Sequence, residues 1–202
     1  MNHAKERPIL FSAPMVRAIL LGQKTVTRRP IRFPFIDKEF GCELAGNEIG
    51  LDEIRSNCPY GVPGQRLWVR EAWKADAQVN AIAPRELSHG EPIQYPADGA
   101  SRQNGCSMIT PGKTRPSIHM PRWVSRILLE ITDVRVERLQ DISEEQATAE
   151  GVGVDKISSY RSACVDRPAG FAFRDLWTGI NGSDSWEANP WVWAITFRRV
   201  EQ

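Results

Sequence analysis

Apolar positions along this chain of 202 residues fall into short islands, and their spacing switches between helical and strand-like within a few residues. Met15, Val16, Ile19 and Leu20 share one face at a 3.6-residue period, which predicts a short helix over 12–21. Ser12 suits its N-cap, Pro14 its first turn, and Gly22 a left-handed cap just past its end. The β-branched Thr25, Val26 and Thr27 then predict a strand. Lys24 and Thr27 thereby fall on a helix-to-strand corner, where side chains can converge on a cleft. Alternation at 67–73 and 190–198 predicts two more strands. Residues 143–150 predict a helix: Ser143 and Gln146 form a capping box, Glu144 and Glu145 occupy the first turn, and Gly151 follows the end. A last helix is expected over 171–177, with Ile180 continuing its apolar face and Asn181 and Gly182 turning the chain. Segments 30–62 and 74–121 are rich in Pro, Gly, Asn, Asp and Ser without sustained period, and read as long loops.

Composition narrows the class. Apolar residues make up 41% and charged residues 25%, ordinary for a globular protein. No apolar run approaches the roughly 20 residues of a membrane span, and residues 1–7 lack the apolar core of a signal peptide, so a cytoplasmic protein without membrane contact is expected. Cys42, Cys58, Cys106 and Cys164 form no CxxC pair, which predicts reduced, structural cysteines and neither a metal nor a cofactor. A net charge of +1 argues against unselective attraction to phosphate.

The chemically densest stretch runs from Gly22 through Gln23, Lys24, Thr25, Val26, Thr27, Arg28 and Arg29, setting one amine, two hydroxyls and two guanidiniums beside a helix end. This Gly-x-Lys-Thr-x-Thr-x-Arg run resembles the signature of ASCH domains, a branch of the PUA-like β-barrels. Residues 63–70 resemble that family's Gly-Asp-x-Leu-x-Val strand, with Gln65 in place of the usual acid; 190–198 resemble its closing strand, and 126–139 with 143–151 its central strand pair and helix. The resemblance also extends to longer ASCH-like proteins of phages and prophages. It implies an α+β fold, a PUA-like (ASCH) mixed β-barrel with short flanking helices and long inserted loops. One domain would span 1–202, with insertions at about 30–62, 74–121 and 153–185.

Relatives of this kind include hydrolases of the exocyclic amide of 4-acetylcytidine, whose acting residues fall by motif on Lys24, Thr27 and Glu150. Chemistry gives each a task. A threonine hydroxyl attacks only after a neighbour removes its proton, and a lysine does so only when burial or adjacent cations lower its pKa. Arg28 and Arg29 would supply such cationic pressure, whereas Glu150, near a helix C-terminus, would hold a proton to donate. Against this stand plainer readings: a solvated lysine, a strand threonine and a glutamate on a solvated helix face.

Further candidates for substrate contact are Arg28 and Arg29, for a phosphate or acyl oxygen, and Glu71, as a second acid or base-edge acceptor. Tyr95, Asp98, Arg115 and His119 lie in proline-bracketed segments, and Arg122 and Trp123 offer charge and a stacking surface. Of seven tryptophans most must be core, and alternation puts Trp191 and Trp193 on one face, facing the interior of the implied barrel. The expected function is an amidohydrolase-like hydrolase of a modified nucleoside, nucleotide or RNA base. The alternatives are a non-catalytic RNA- or nucleic-acid-binding PUA-like module and a phage accessory protein.

Overall fold

Gly22 adopts φ +71°, a conformation that suits glycine, and with it the helix 13–20 ends and the chain turns into the strand 26–30. This corner is one junction in a computed structural model that describes residues 5–32, 35–36, 43–44, 50–103 and 105–201, with 35–36 and 43–44 described by backbone alone. Cys42, the first four residues and parts of the 30–62 segment lie outside the described residues. In chain order the elements are β1 (Glu6–Leu10), α1 (Ala13–Leu20), β2 (Val26–Pro30), β3 (Phe35–Ile36), β4 (Glu43–Leu44), α2 (Leu51–Ser56) and β5 (Arg66–Arg70). They continue with β6 (Ile93–Gln94), β7 (Ser101–Arg102), β8 (Leu128–Arg138), α3 (Glu144–Ala149), α4 (Val154–Ser162), α5 (Pro168–Asn181) and β9 (Trp191–Val200).

The fold is α+β. Its main sheet is mixed, with strand order β1-β5-β8-β9-β2, and among the described residues it closes no ring. β1 runs parallel to β5, β5 antiparallel to β8, and β2 antiparallel to β9. The chain divides into two compact units: residues 1–22, 65–130 and 199–202 form one, and residues 23–64 and 131–198 the other.

In the first unit, Ile9, Leu67, Val69 and Leu129 are fully buried along β1, β5 and β8. The 74–121 segment, expected as loop, carries a small apolar core of its own: Trp73, Ile93, Tyr95, Met120 and Val124 pack together, and β6 pairs with β7. Periodicity misses this because the buried positions are scattered among turns. Asp76 pins the segment by accepting backbone N–H bonds from Gln78 (3.0 Å), Ile109 (2.7 Å) and Thr110 (3.1 Å), which hold its carboxyl below the usual range.

In the second unit, Leu139, Ile142, Ala147, Phe173, Trp177 and Val192 form the core on which α3, α4 and α5 pack. The last helix is longer than its 171–177 apolar run indicates, because Pro168 starts it a turn earlier and Glu144 caps its first amides: the carboxylate accepts from Ala169 N (2.9 Å) and Gly170 N (2.8 Å). Periodicity does not announce α4 and α2, since each is short, with a single buried apolar residue, Ile157 and Ile54. Trp191 and Trp193 share a strand face but not an environment. Trp191 is half-buried under Arg138, 4.4 Å from its ring centre, whereas Trp193 is buried and its indole N–H donates to Ile54 O at 3.5 Å.

Among the described residues Cys58 is a buried thiol and Cys106 and Cys164 are exposed ones, and no helix is long and apolar enough to cross a membrane.

Candidate functional site

The corner after α1 is stitched into the second unit by its backbone. Lys24 forms an isolated antiparallel bridge with Glu150, Thr25 N donates to Ala149 O (2.9 Å), and Phe197 N donates to Thr25 O (2.9 Å). Lys24 is thus fixed at the C-terminal end of α3, where Glu150 is the cap residue. Lys24, Thr27 and Glu150 are 1%, 2% and 3% exposed. The expected cleft surface is instead interior.

The Lys24 ammonium has three protons and three acceptors: Val26 O (2.8 Å), Glu150 O (2.8 Å) and Glu150 Oε2 (2.7 Å). Glu150 Oε1 accepts from Arg28 Nη1 at 3.1 Å. The other arm of Arg28, Nη2, donates to Glu137 Oε1 and to Gln146 Oε1, the latter at 2.5 Å. Two buried cations therefore face one buried carboxylate, Glu150, and the half-buried Glu137 and Gln146, with the Phe173 ring centre 5.8 Å from the Arg28 guanidinium carbon. Burial pushes the Lys24 pKa down from 10.5, the Glu150 carboxylate opposes that shift, and Arg29 and Arg28 add a smaller downward push.

Thr27 does not join this cluster. Alternation along β2 puts Val26 and Arg28 on one face and Thr27 and Arg29 on the other. No hydrogen bond from the Thr27 hydroxyl to Lys24 or Glu150 occurs among the described residues. The motif thus yields a Lys24, Arg28 and Glu150 cluster completed by Glu137 and Gln146, which sequence reasoning missed. Gln146 was legible only as a cap partner; Ser143 does accept from Gln146 N at 3.2 Å, but the Gln146 side chain turns to Arg28.

On the other face of β2, Arg29 lies opposite Trp193 in the register with β9. There Arg29, Arg32, Tyr60, Asn181 and Trp193 line a cavity of about 420 Å³, with the Arg29 guanidinium carbon 5.9 Å from the Tyr60 ring centre. Tyr60 carries no signal of its own in the sequence, because it sits in a turn-rich stretch, and Asn181 was legible only as a residue turning the chain, whereas it ends α5.

The remaining candidates belong to the first unit, where most of their polar groups are engaged within the fold. Arg126 bonds Glu71 through Nε (2.8 Å) and Nη2 (3.0 Å) and Asp98 through Nη1 (2.8 Å) and Nη2 (2.9 Å), and it lies 4.0 Å from the Tyr95 ring centre. Burial works against the Arg126 charge, but the two carboxylates overcome it and raise its pKa, while the Arg126 bond holds Asp98 low. Tyr95 donates to Val124 O (2.7 Å), and burial pushes its hydroxyl up to about 12. Arg115 is buried against Trp73 and donates to Ile82 O (2.9 Å) and Val79 O (2.7 Å). Arg122 Nε donates to Glu6 Oε2 (2.7 Å), and Trp123 stacks on His89 at 5.0 Å between ring centres. His119 stays exposed and lines a second cavity with Arg70.

Among the described residues no group of three or more His, Cys, Asp or Glu could hold a metal ion. Compared with protein-family models, curated proteins and solved structures, the chain has no match.

Proposed function

We propose that this chain is a nucleotide- or nucleic-acid-binding module of the PUA-like (ASCH) kind, taking one base into the cavity beside β2. The observation that carries this reading is the pairing of Arg29 with Tyr60 and Trp193 around about 420 Å³ of space. Aromatic faces stack on any base, the Asn181 amide, whose Nδ2 also donates to Trp177 O (3.1 Å), offers its oxygen and second proton to a base edge, and Arg29 and Arg32 suit a phosphate. The volume lies in the range of small-ligand sites. Binding of mononucleotides and short single-stranded RNA, followed by calorimetry across a salt series, tests it. Arg29→Gln is expected to weaken binding and to flatten the salt dependence by about one unit per lost phosphate contact. Unchanged affinity in that variant, or no binding at low salt, would overturn the reading.

A hydrolase acting through Lys24, Thr27 and Glu150 is the second reading, favoured by the downward push that burial gives the Lys24 pKa. It requires Lys24 to release its three acceptors and the Thr27 hydroxyl to reach it. Release of acetate from 4-acetylcytidine by the wild type, abolished in Thr27→Ala, would establish this reading over simple binding.

A further inference from the structure

A second cavity, of about 360 Å³, lies in the first unit, at the end of β5 and against the turn 117–119. Arg70 and Arg85 bring positive charge to its wall and His119 an imidazole, and among the described residues no acid lines it. The rest is apolar, with Met120 fully buried at its base and Ile118 59% exposed at its mouth. Pro84 and Pro121 stiffen the walls.

Arg70 sets the chemistry. Its guanidinium carbon lies 4.7 Å from the Trp68 ring centre, a stack that orients the planar fork. Its Nε is buried and has no hydrogen-bond partner, and no carboxylate pairs with the side chain among the described residues. Arg122 makes the contrast plain: it also approaches Trp68, at 6.0 Å, but its Nε is bonded to Glu6. Arg85 has only a loose, solvent-exposed contact with the adjacent Glu86 at 3.4 Å. A buried donor left without an acceptor is costly, and buried donors are nearly always satisfied.

We infer that this cavity binds a small organic oxyanion, a carboxylate or phosphate group on an apolar or aromatic body. The Arg70 fork takes the oxyanion, Arg85 adds charge at the rim, and Ile118 and Met120 cover the body. The inference stands apart from the base-binding cavity of the second unit and does not rest on it.

Titration calorimetry of the full chain with phenyl phosphate, benzoate and inorganic phosphate tests it. At least one of the two aromatic anions is expected to bind with a Kd below about 1 mM, and whichever binds better identifies the head group. Inorganic phosphate is expected to bind more weakly, because it lacks the apolar body. Arg70→Lys, which keeps the charge and loses the fork, is expected to weaken binding by about tenfold. The exposed Ile118→Glu, which sets an acid at the mouth without touching the interior, is expected to do the same. Arg29→Gln is expected to leave this binding unchanged, which separates it from the site beside β2. No binding of either aromatic anion at about 10 mM, or wild-type affinity in both Arg70→Lys and Ile118→Glu, would overturn the inference.

Discussion

The Lys24 cluster and the Arg70 cavity use the same materials, basic side chains beside aromatic rings, and finish them in opposite ways. Lys24 and Arg28 face Glu150 and the half-buried Glu137, and each ammonium proton has an acceptor. Arg70 is stacked and oriented but among the described residues meets no carboxylate. Arg28 Nε lacks an acceptor just as Arg70 Nε does, so the difference lies in the fork: that of Arg28 meets two carboxylates, that of Arg70 none among the described residues. Charge that is matched internally holds structure, and charge left unmatched beside a cavity points to a ligand.

The largest effect is expected where a buried match is broken. Glu150→Ala strands both Lys24 and Arg28 without their shared carboxylate and should cost about 3–5 kcal/mol, read by denaturant unfolding. A loss below about 1 kcal/mol would make the cluster no more than a surface-like ion pair. Next in size is Arg126→Ala, which leaves Glu71 buried and unpaired and should cost about 2–3 kcal/mol. An unchanged melting temperature there would mean that the 74–121 segment does not depend on its clamp.

A smaller, pH-dependent effect belongs to Asp76. Its folded pKa lies below the unfolded 3.8, so the unfolded chain binds the proton more readily. Its contribution is complete above that value and is lost as pH falls through the folded one. Asp76→Asn should be less stable than wild type at neutral pH, with the gap closing in acid; a gap that persists at the lowest pH would assign the loss to packing. The smallest stability effect is expected for Arg29→Gln, within about 0.5 kcal/mol, because that side chain lines a cavity. Lost ligand affinity with an unmoved melting temperature would sharpen the contrast between the two faces of β2.

Much of the architecture was legible from periodicity. α1, β2, β5, α3 and β9 lie where alternation, β-branching or capping residues put them, whereas the strand pair that the resemblance implies over 126–139 is one long strand, β8. β1 was silent, since Pro8 interrupts a five-residue strand whose fully buried apolar position is Ile9. The site was legible in part. The family motif drew attention to Lys24 and Glu150, and they meet; strand alternation already sets Thr27 and Arg28 on opposite faces, but it does not say which face meets Glu150. Glu137 and Gln146 reach Arg28 from β8 and α3, 109 and 118 residues away in sequence, and no local pattern encodes such a meeting.

The claim that the Lys24 corner is a matched structural cluster rests on the ionisation of one amine. Nitrogen-detected NMR of the Lys24 Nζ, assigned by comparison with Lys24→Arg, reads it directly across neutral pH. The account predicts an ammonium at pH 7, with slowed proton exchange from its three acceptors and no response to a nucleotide bound beside β2. A neutral amine at pH 7, or an ammonium that loses its proton when an acylated nucleoside is added, would contradict it and return Lys24 to the role of a base.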